Sequence, residues 1–197
     1  MLKIGITGNI GGGKTTVSKI FEVLGIPVFY ADDEAKKVMV EDIILIGALK
    51  KAFGNDAYFD DGSLNRKHIA SIVFSDEVQL AKLNSLVHPA VFRSFDNWVA
   101  QIKNAPYVIK EAALLFESTS YKMCDYSVMV TAPLELRIQR VIARDGLTRA
   151  EVESRDAKQF TEEKKIQLAN YVIRNDDTQM VIPQVLELHQ IFSSLAH

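Results

Sequence analysis

Short apolar runs alternate with amphipathic stretches along most of the chain. Five runs rich in Ile, Val, Tyr and Phe have the length of buried strands, namely LKIGIT, PVFY, the start of PYVIKEAALLF, DYSVMVTA and NYVIRN. The stretches between them place apolar residues at helical spacing, as Val17, Phe21 and Leu24 do after the first run. Since parallel strands need helical crossovers, the alternation predicts an α/β fold with a five-stranded, mostly parallel sheet flanked by helices.

Residues 55–104 interrupt this alternation, because they contain no strand-like run. They begin with a turn-rich loop and continue as a long helical stretch, in which Pro89 predicts a break or a kink. The pattern therefore predicts one domain, with a core at 1–54 and 105–197 and an inserted helical lobe at about 55–104.

Composition narrows the class of protein. The 197 residues carry 23 Lys and Arg against 25 Asp and Glu, which argues against binding nucleic acid through bulk positive charge. The single cysteine, Cys124, forms no intrachain disulfide, which fits a reducing compartment. No signal peptide is recognisable at MLKIGITG, and no run reaches the roughly 18 apolar residues of a membrane helix. We expect a cytoplasmic protein that binds neither membranes nor nucleic acid.

The most specific motif is GITGNIGGGKTT at residues 5–16, which holds five of the ten glycines. Gly8, Gly13, Lys14 and Thr15 match the P-loop pattern GxxxxGK[ST], with a predicted strand before it and a helix after it. Binding a phosphate requires several inward N–H groups, and side chains in so tight a loop would block the phosphate. Lys14 adds charge to the terminal phosphates, and the Thr15 hydroxyl can hold Mg²⁺. The motif predicts a nucleoside triphosphate site with Mg²⁺.

Other motifs narrow the choice among P-loop proteins. The NKxD and DxxG patterns of GTPases are absent from the sequence, and motor ATPases and helicases are usually larger, which leaves a small metabolite kinase. Arg137, Arg140 and Arg144 fall on one face of a predicted helix. Guanidinium groups suit the charge on a transferred phosphoryl group, so we interpret this segment as a lid that closes over the phosphates. A solvated basic helix face is the alternative.

Two carboxylates directly follow the second predicted strand. Asp32 and Asp33 lie at its C-terminal end, and this is the edge at which open parallel sheets bind ligands. A kinase that acts on a hydroxyl benefits from a carboxylate near the acceptor. Capping of the next helix is the alternative for one of the two. Glu111 and Glu117, at the exit of the third strand, are weaker candidates.

Seven segments together resemble the dephospho-CoA kinase family over nearly the whole chain. They are GITGNIGGGKTT, YADDEAKKV, LNRKHIASIVF, LNSLVHPAV, LLFE, RVIARDGLTRAEVESRDAKQ and NYVIRND. The resemblance implies transfer of the γ-phosphate of ATP to the 3′-hydroxyl of the ribose of dephospho-CoA, giving CoA and ADP. It also implies a P-loop kinase core, a helical lobe that binds CoA, and a lid at about 140–162.

On the donor side, the resemblance gives roles to the loop and to the lid. Arg140 and Arg144 match the lid arginines, the first with a catalytic role beside Lys14 and the second with a nucleotide-binding role. Asn175, after the last strand, matches a residue near the adenine of ATP. The loop residues that match the phosphate-binding positions are Gly11, Gly12, Gly13, Lys14, Thr15 and Thr16.

On the acceptor side, Asp32 matches the acidic residue that receives the hydroxyl proton, and Arg66 and His88 match substrate-binding positions. The chain departs from the family at Tyr30, where an acidic residue is common, so Asp32 is the sole carboxylate of that pair. It departs again at Ala113, where proline is common.

Two other functions compete with this interpretation. A nucleoside monophosphate kinase, or another small-metabolite kinase, would share the P-loop and the lid but would lack the LNSLVHP segment. A nucleotide-binding regulatory module without catalysis would have lost the acceptor-side carboxylate or the lid arginines, and both are present.

Overall fold

The computed structural model of the protein describes residues 1–74 and 76–196. Its five strands are β1 (Leu2–Thr7), β2 (Val28–Tyr30), β3 (Tyr107–Glu111), β4 (Tyr126–Thr131) and β5 (Tyr171–Arg174). The α-helices of this described part are α1 (Lys14–Val23), α2 (Ala31–Glu41), α3 (Ile43–Phe53), α4 (Arg66–Val73), α5 (Glu77–Gln101), α6 (Leu134–Asp145), α7 (Arg149–Asp156), α8 (Glu162–Leu168) and α9 (Val181–Leu195).

The strands form one sheet in the order β2-β3-β1-β4-β5, and every neighbouring pair is parallel. β1 lies at the centre, with Ile4 opposite Ile109 of β3 on one side and Tyr126 of β4 on the other. The predicted five-stranded parallel sheet is therefore confirmed. Because all strands run the same way, the segments that follow β1, β3, β4 and β5 all leave from one edge of the sheet.

The chain divides into two compact units. The first comprises residues 1–30 and 102–197 and contains the sheet; the second comprises residues 31–101 and is helical. The second unit begins earlier than the lobe boundary expected at about 55, because α2 packs on α5. Ser94 donates a hydrogen bond of 2.6 Å to Glu34 Oε1 within this unit. That residues 55–104 bind CoA stays a prediction.

Helix α5 runs through Pro89 without interruption, so the predicted break is wrong. Pro89 is exposed, whereas its neighbours Val87 and Ala90 are buried. The fixed φ of proline is compatible with a helix. The buried residues on both sides of Pro89 hold the helix together across it.

The start of α5 is capped by an aspartate. The sequence offers Ser75 and Asp76 as N-cap residues. Asp76 Oδ1 accepts hydrogen bonds from the backbone N–H groups of Val78 (2.9 Å) and Gln79 (3.1 Å), which is the geometry of an N-cap. Ser75 lies outside the described residues.

None of the helices in the described part of the chain combines the length and the apolarity that crossing a bilayer requires.

An aromatic cluster joins α9 to the sheet. The Phe192 ring is fully buried and packs against Tyr107 of β3, Tyr126 of β4 and Tyr171 of β5, with ring centroids 5.6, 6.4 and 5.3 Å away. The Tyr107 hydroxyl and His189 Nδ1 are hydrogen-bonded at 2.7 Å. One side chain therefore contacts three strands.

Replacing Phe192 by alanine should lower the free energy of unfolding by about 3–5 kcal/mol, since it leaves a cavity beneath three strands. Urea denaturation followed by circular dichroism measures this loss. Leu195→Ala on the same helix is the matched control, because Leu195 is 47% exposed and should cost far less. Equal losses in the two variants would contradict the assignment of Phe192 to the core.

Candidate nucleotide-binding site

A cleft of about 190 Å³ in the first unit brings the loop after β1 together with α6. Its lining residues are Asn9, Gly11, Gly13, Lys14, Thr15, Thr16, Arg140, Val141 and Arg144. Most of the residues predicted for phosphate binding are thus grouped with Arg140 and Arg144, the two arginines that the resemblance assigns to the lid. Asn9 and Val141 are further lining residues that sequence reasoning missed, because one is a variable position of the loop motif and the other an ordinary apolar helix residue.

The loop has the backbone that a P-loop needs. Gly11 and Gly13 have φ values of 78° and 94°, in the left-handed region that favours glycine, and Gly13 lies at the N-cap of α1. A Cβ atom at Gly11 would collide with the carbonyl oxygen of Arg137 and lie 2.9 Å from its carbonyl carbon. The protein's own backbone therefore excludes side chains here, in addition to the predicted need for access by a phosphate.

Lys14 is the first residue of α1 and lines the cleft. Its Nζ lies 3.5 Å from Oε1 of Glu111, the last residue of β3, and the Glu111 side chain is only 6% exposed. The cation predicted for the terminal phosphates thus faces a buried carboxylate at the edge of the sheet. Glu111, a weaker candidate for the acceptor side, thus lies next to Lys14, and its role stays a prediction.

Arg140 connects the cleft to the loop after β5. Its guanidinium donates to the Asn175 carbonyl oxygen at 3.0 Å and to Asp177 Oδ1 at 2.8 Å. The Asn175 side chain in turn donates to the Gly12 carbonyl oxygen at 3.0 Å. Asn175, which the resemblance places near the adenine, is therefore in direct contact with the phosphate loop.

Arg144 is the more exposed of the two cleft arginines. It forms a two-point ion pair with the adjacent Asp145, at 2.7 and 2.8 Å. These hydrogen bonds lower the pKa of the Asp145 carboxyl and raise that of the Arg144 guanidinium. The pair is exposed, with 65% of the Arg144 side chain accessible. Breaking this exposed ion pair therefore costs little free energy.

Arg137 does not belong with the lid arginines. Its residue is only 4% exposed, and its guanidinium donates to the carbonyl oxygens of Ala132 (3.0 Å) and Ile10 (3.3 Å) and to Asp156 Oδ1 (2.6 Å). The helical spacing that groups it with Arg140 and Arg144 is correct, but the Arg137 side chain is packed inside the protein. The expectation that Arg137 faces the nucleotide is wrong.

The three acceptor-side candidates lie in the second unit. Asp32 is in the first turn of α2, two residues after β2 ends. Arg66 is exposed and begins α4. His88 is half-buried inside the continuous helix α5, not at a helix break, and its ring stacks on Phe92 with centroids 6.2 Å apart.

Comparison with known proteins identifies the family. The family model described as dephospho-CoA kinase matches residues 2–180. The chain belongs to the dephospho-CoA kinase family. A dephospho-CoA kinase of Bacteroides fragilis is 37% identical over 187 residues, which cover 95% of this chain and 91% of the relative. One of Salinibacter ruber is 39% identical over 180 residues, 90% of each chain. This kinase is accordingly a transferase.

Solved structures share its architecture. A crystal structure of a Thermus thermophilus protein superposes with a TM-score of 0.85 at 35% identity and covers 96% of both chains. Dephospho-CoA kinase from Campylobacter jejuni gives a TM-score of 0.71 at 22% identity, covering 99% of this chain and 98% of that one. Shikimate kinase from Bacteroides thetaiotaomicron gives 0.53 at 16% identity, covering 96% and 97%. The last two show the shared P-loop kinase fold alone.

Gly11→Ala should abolish measurable nucleotide binding, because the added methyl group meets the Arg137 carbonyl and the residue would have to leave its positive φ. Isothermal titration with ADP measures the effect. Gly47→Ala is the matched control, since nothing lies within 4 Å of a Cβ at that helical position. That change should preserve binding and raise stability by about 0.5–1 kcal/mol. Normal affinity in Gly11→Ala would contradict the close approach.

Proposed function

We propose that the protein transfers the γ-phosphoryl group of ATP to the 3′-hydroxyl of the ribose of dephospho-CoA, giving CoA and ADP. The observation that carries this proposal is that the phosphate loop, Arg140 and Arg144 line one cleft. Membership of the dephospho-CoA kinase family supports the choice of acceptor. A nucleoside monophosphate acceptor has no such support.

The donor side uses the loop and the two cleft arginines. Backbone N–H groups of Gly11, Gly13 and the start of α1 would hold the β- and γ-phosphates, since the helix N-terminus favours anions. Lys14 would neutralise the terminal phosphates, and Arg140 and Arg144 would stabilise charge on the transferred group. Enclosing the phosphates in this cleft would also limit hydrolysis of ATP by water.

Thr15 is the proposed protein ligand of Mg²⁺. Thr15 lines the cleft at the first turn of α1. Across the described residues, no group of three or more His, Cys, Asp and Glu side chains is arranged to hold a metal. A single hydroxyl fits Mg²⁺, which keeps several water ligands and is bound largely through the phosphates of its nucleotide. When bound, the ion supplies charge neutralisation on the phosphate oxygens.

The acceptor side is assigned to the helical unit. The ribose 3′-oxygen would attack the γ-phosphorus as the bond to the bridging oxygen of ADP breaks, and the hydroxyl proton would pass to the Asp32 carboxylate. Arg66 and His88 would bind dephospho-CoA, as part of a CoA-binding lobe at 55–104. Asn175, which contacts Gly12, would bind the nucleotide on the donor side.

An acceptor panel tests the function directly. Purified protein with ATP and Mg²⁺ should release ADP with dephospho-CoA, and mass spectrometry should detect CoA at one phosphate more than the substrate. AMP, CMP and shikimate are the competing acceptors, and omission of Mg²⁺ should abolish turnover. Faster turnover with a competing acceptor would support kinase activity but would contradict dephospho-CoA as the substrate. No turnover with any acceptor would favour a regulatory nucleotide-binding module.

Asp32→Asn should lower kcat about 100-fold or more while changing KM for ATP little, because it removes the proposed proton acceptor. Asp33→Asn is the matched control on the adjacent residue. Asp33 is exposed and forms an ion pair with Lys36 at 2.6 Å, so its loss should leave kcat nearly unchanged. Steady-state kinetics with dephospho-CoA measure both variants. A rise in KM for both substrates with kcat unchanged would make Asp32 a binding residue instead.

A further inference from the structure

Ile10, a variable position of the phosphate loop, is held on three sides by one segment of the chain. Its backbone N–H donates to Gln159 Oε1 at 2.9 Å, and its carbonyl oxygen accepts from Arg137 Nη1 at 3.3 Å. Its side chain packs against a small apolar cluster separate from the main core. The cluster consists of Ile138, Val141 and Val152, with Leu147 beside it.

These contacts bracket one segment. Residues 138–158 are here called the arm and overlap most of the lid expected at about 140–162. The arm comprises most of α6, the turn after it, and α7. Arg137 immediately precedes the arm and Gln159 immediately follows it. The residues that flank the arm therefore hold the backbone N–H and the carbonyl oxygen of Ile10, and the interior of the arm holds the Ile10 side chain.

Buried polar groups fix the two ends in place. Asp156 Oδ1 accepts hydrogen bonds from Arg137 (2.6 Å) and from Asn9 Nδ2 (3.1 Å), the loop residue before Ile10. Asn9 Nδ2 also donates to the Phe160 carbonyl oxygen at 3.1 Å. Asn9 is 2% exposed, so these hydrogen bonds are strongly protected from water.

The far end of the arm is also tied to the sheet. The Gln159 side-chain amide donates to the Ala113 carbonyl oxygen at 3.4 Å, just beyond β3. The fully buried Lys165 donates to the same oxygen at 2.9 Å and pairs with Glu117 at 3.0 Å. Burial lowers the pKa of the Lys165 ammonium, and the Glu117 carboxylate opposes that shift. These contacts thus fix the end of the arm against the segment that follows β3.

The arm also reaches the nucleotide cleft. Arg140, Val141 and Arg144 line the cleft from α6, and Val141 belongs to the cluster that receives Ile10. The contacts of Ile10 with Arg137, Gln159 and the apolar cluster are here called the Ile10 junction. A ligand that contacts the loop and these arginines therefore acts on both sides of this junction.

We propose that Ile10 is a positioning residue that couples nucleotide binding in the phosphate loop to the order of the arm. Ile10 contacts no reacting atom; it acts through the loop on one side and through α6 and α7 on the other. By linkage, a nucleotide that orders the arm must bind more weakly when the junction is loosened. The inference rests on the proposed function only in taking a nucleotide as the ligand of the loop.

The test measures ADP affinity by isothermal titration, and amide hydrogen exchange of α7 with and without ADP, on the full chain. In the wild type, ADP should slow exchange across α7 relative to the amides of β4. Ile10→Ala should weaken ADP binding about fivefold to tenfold and remove the protection of α7. Ile10→Val, which keeps most of the contact, should restore both. Ile142→Ala is the matched control, because Ile142 is on the arm but exposed.

The backbone half of the junction is tested by Gln159→Met, which keeps the length of the side chain and removes the acceptor for the Ile10 N–H. It should weaken ADP binding and reduce the protection of α7 in the same way. Gln139→Met, at an exposed position of the arm, is its control and should do neither. Exchange of the β4 amides reports any loss of global stability separately.

Two outcomes would overturn the proposal in different ways. Unchanged ADP affinity in Ile10→Ala and Gln159→Met, with ADP still protecting α7, would make the junction merely structural. Failure of the wild type to bind ADP would overturn the nucleotide site and the coupling together. Turnover with an unexpected acceptor would overturn only the proposed substrate, since the acceptor takes no part in these measurements.

Discussion

The nucleotide end of the protein depends on one buried cation. The Arg137 guanidinium joins the end of β4 through Ala132, the phosphate loop through Ile10, and the end of α7 through Asp156. Charge-assisted hydrogen bonds of this kind are strong in a site shielded from water, and removing one partner would leave a buried charge uncompensated. The Arg137 side chain holds the carbonyl oxygen of Ile10, which directly precedes Gly11. This contact helps to keep the phosphate loop in the conformation that its positive-φ glycines allow.

The regular part of this arrangement is visible in the sequence. Apolar runs mark all five strands, and the spacing from Gly8 to Thr15 marks the phosphate loop, because both patterns depend on neighbours along the chain. Whether an arginine side chain is buried or exposed does not depend on those neighbours alone. Helical periodicity puts Arg137, Arg140 and Arg144 on one face, but only tertiary packing decides that Arg137 is buried there. The same limit applies to Pro89, whose local effect is overridden by the buried residues on both sides of it.

The glycines of the loop have a second role that sequence reasoning did not separate. The motif explains them by access of a phosphate to the backbone, whereas the structure shows that the Arg137 carbonyl occupies the space of a side chain at Gly11. Close backbone packing and ligand access thus require the same residue. On the acceptor side, Asp32 was selected by its position after the second strand and by resemblance, whereas Arg66 and His88 were selected by resemblance alone. The packing of the chain on its own does not report what these three side chains bind.

The contact between Lys14 and Glu111 has a consequence for discrimination among anions. A lysine whose charge is already balanced by a buried carboxylate presents little net field to the solvent, so a small monovalent anion gains little by entering the cleft. A polyphosphate gains more, since it engages the loop amides and the arginines together with the lysine. The ion pair between Lys14 and Glu111 therefore favours the binding of long, highly charged ligands over that of small inorganic anions.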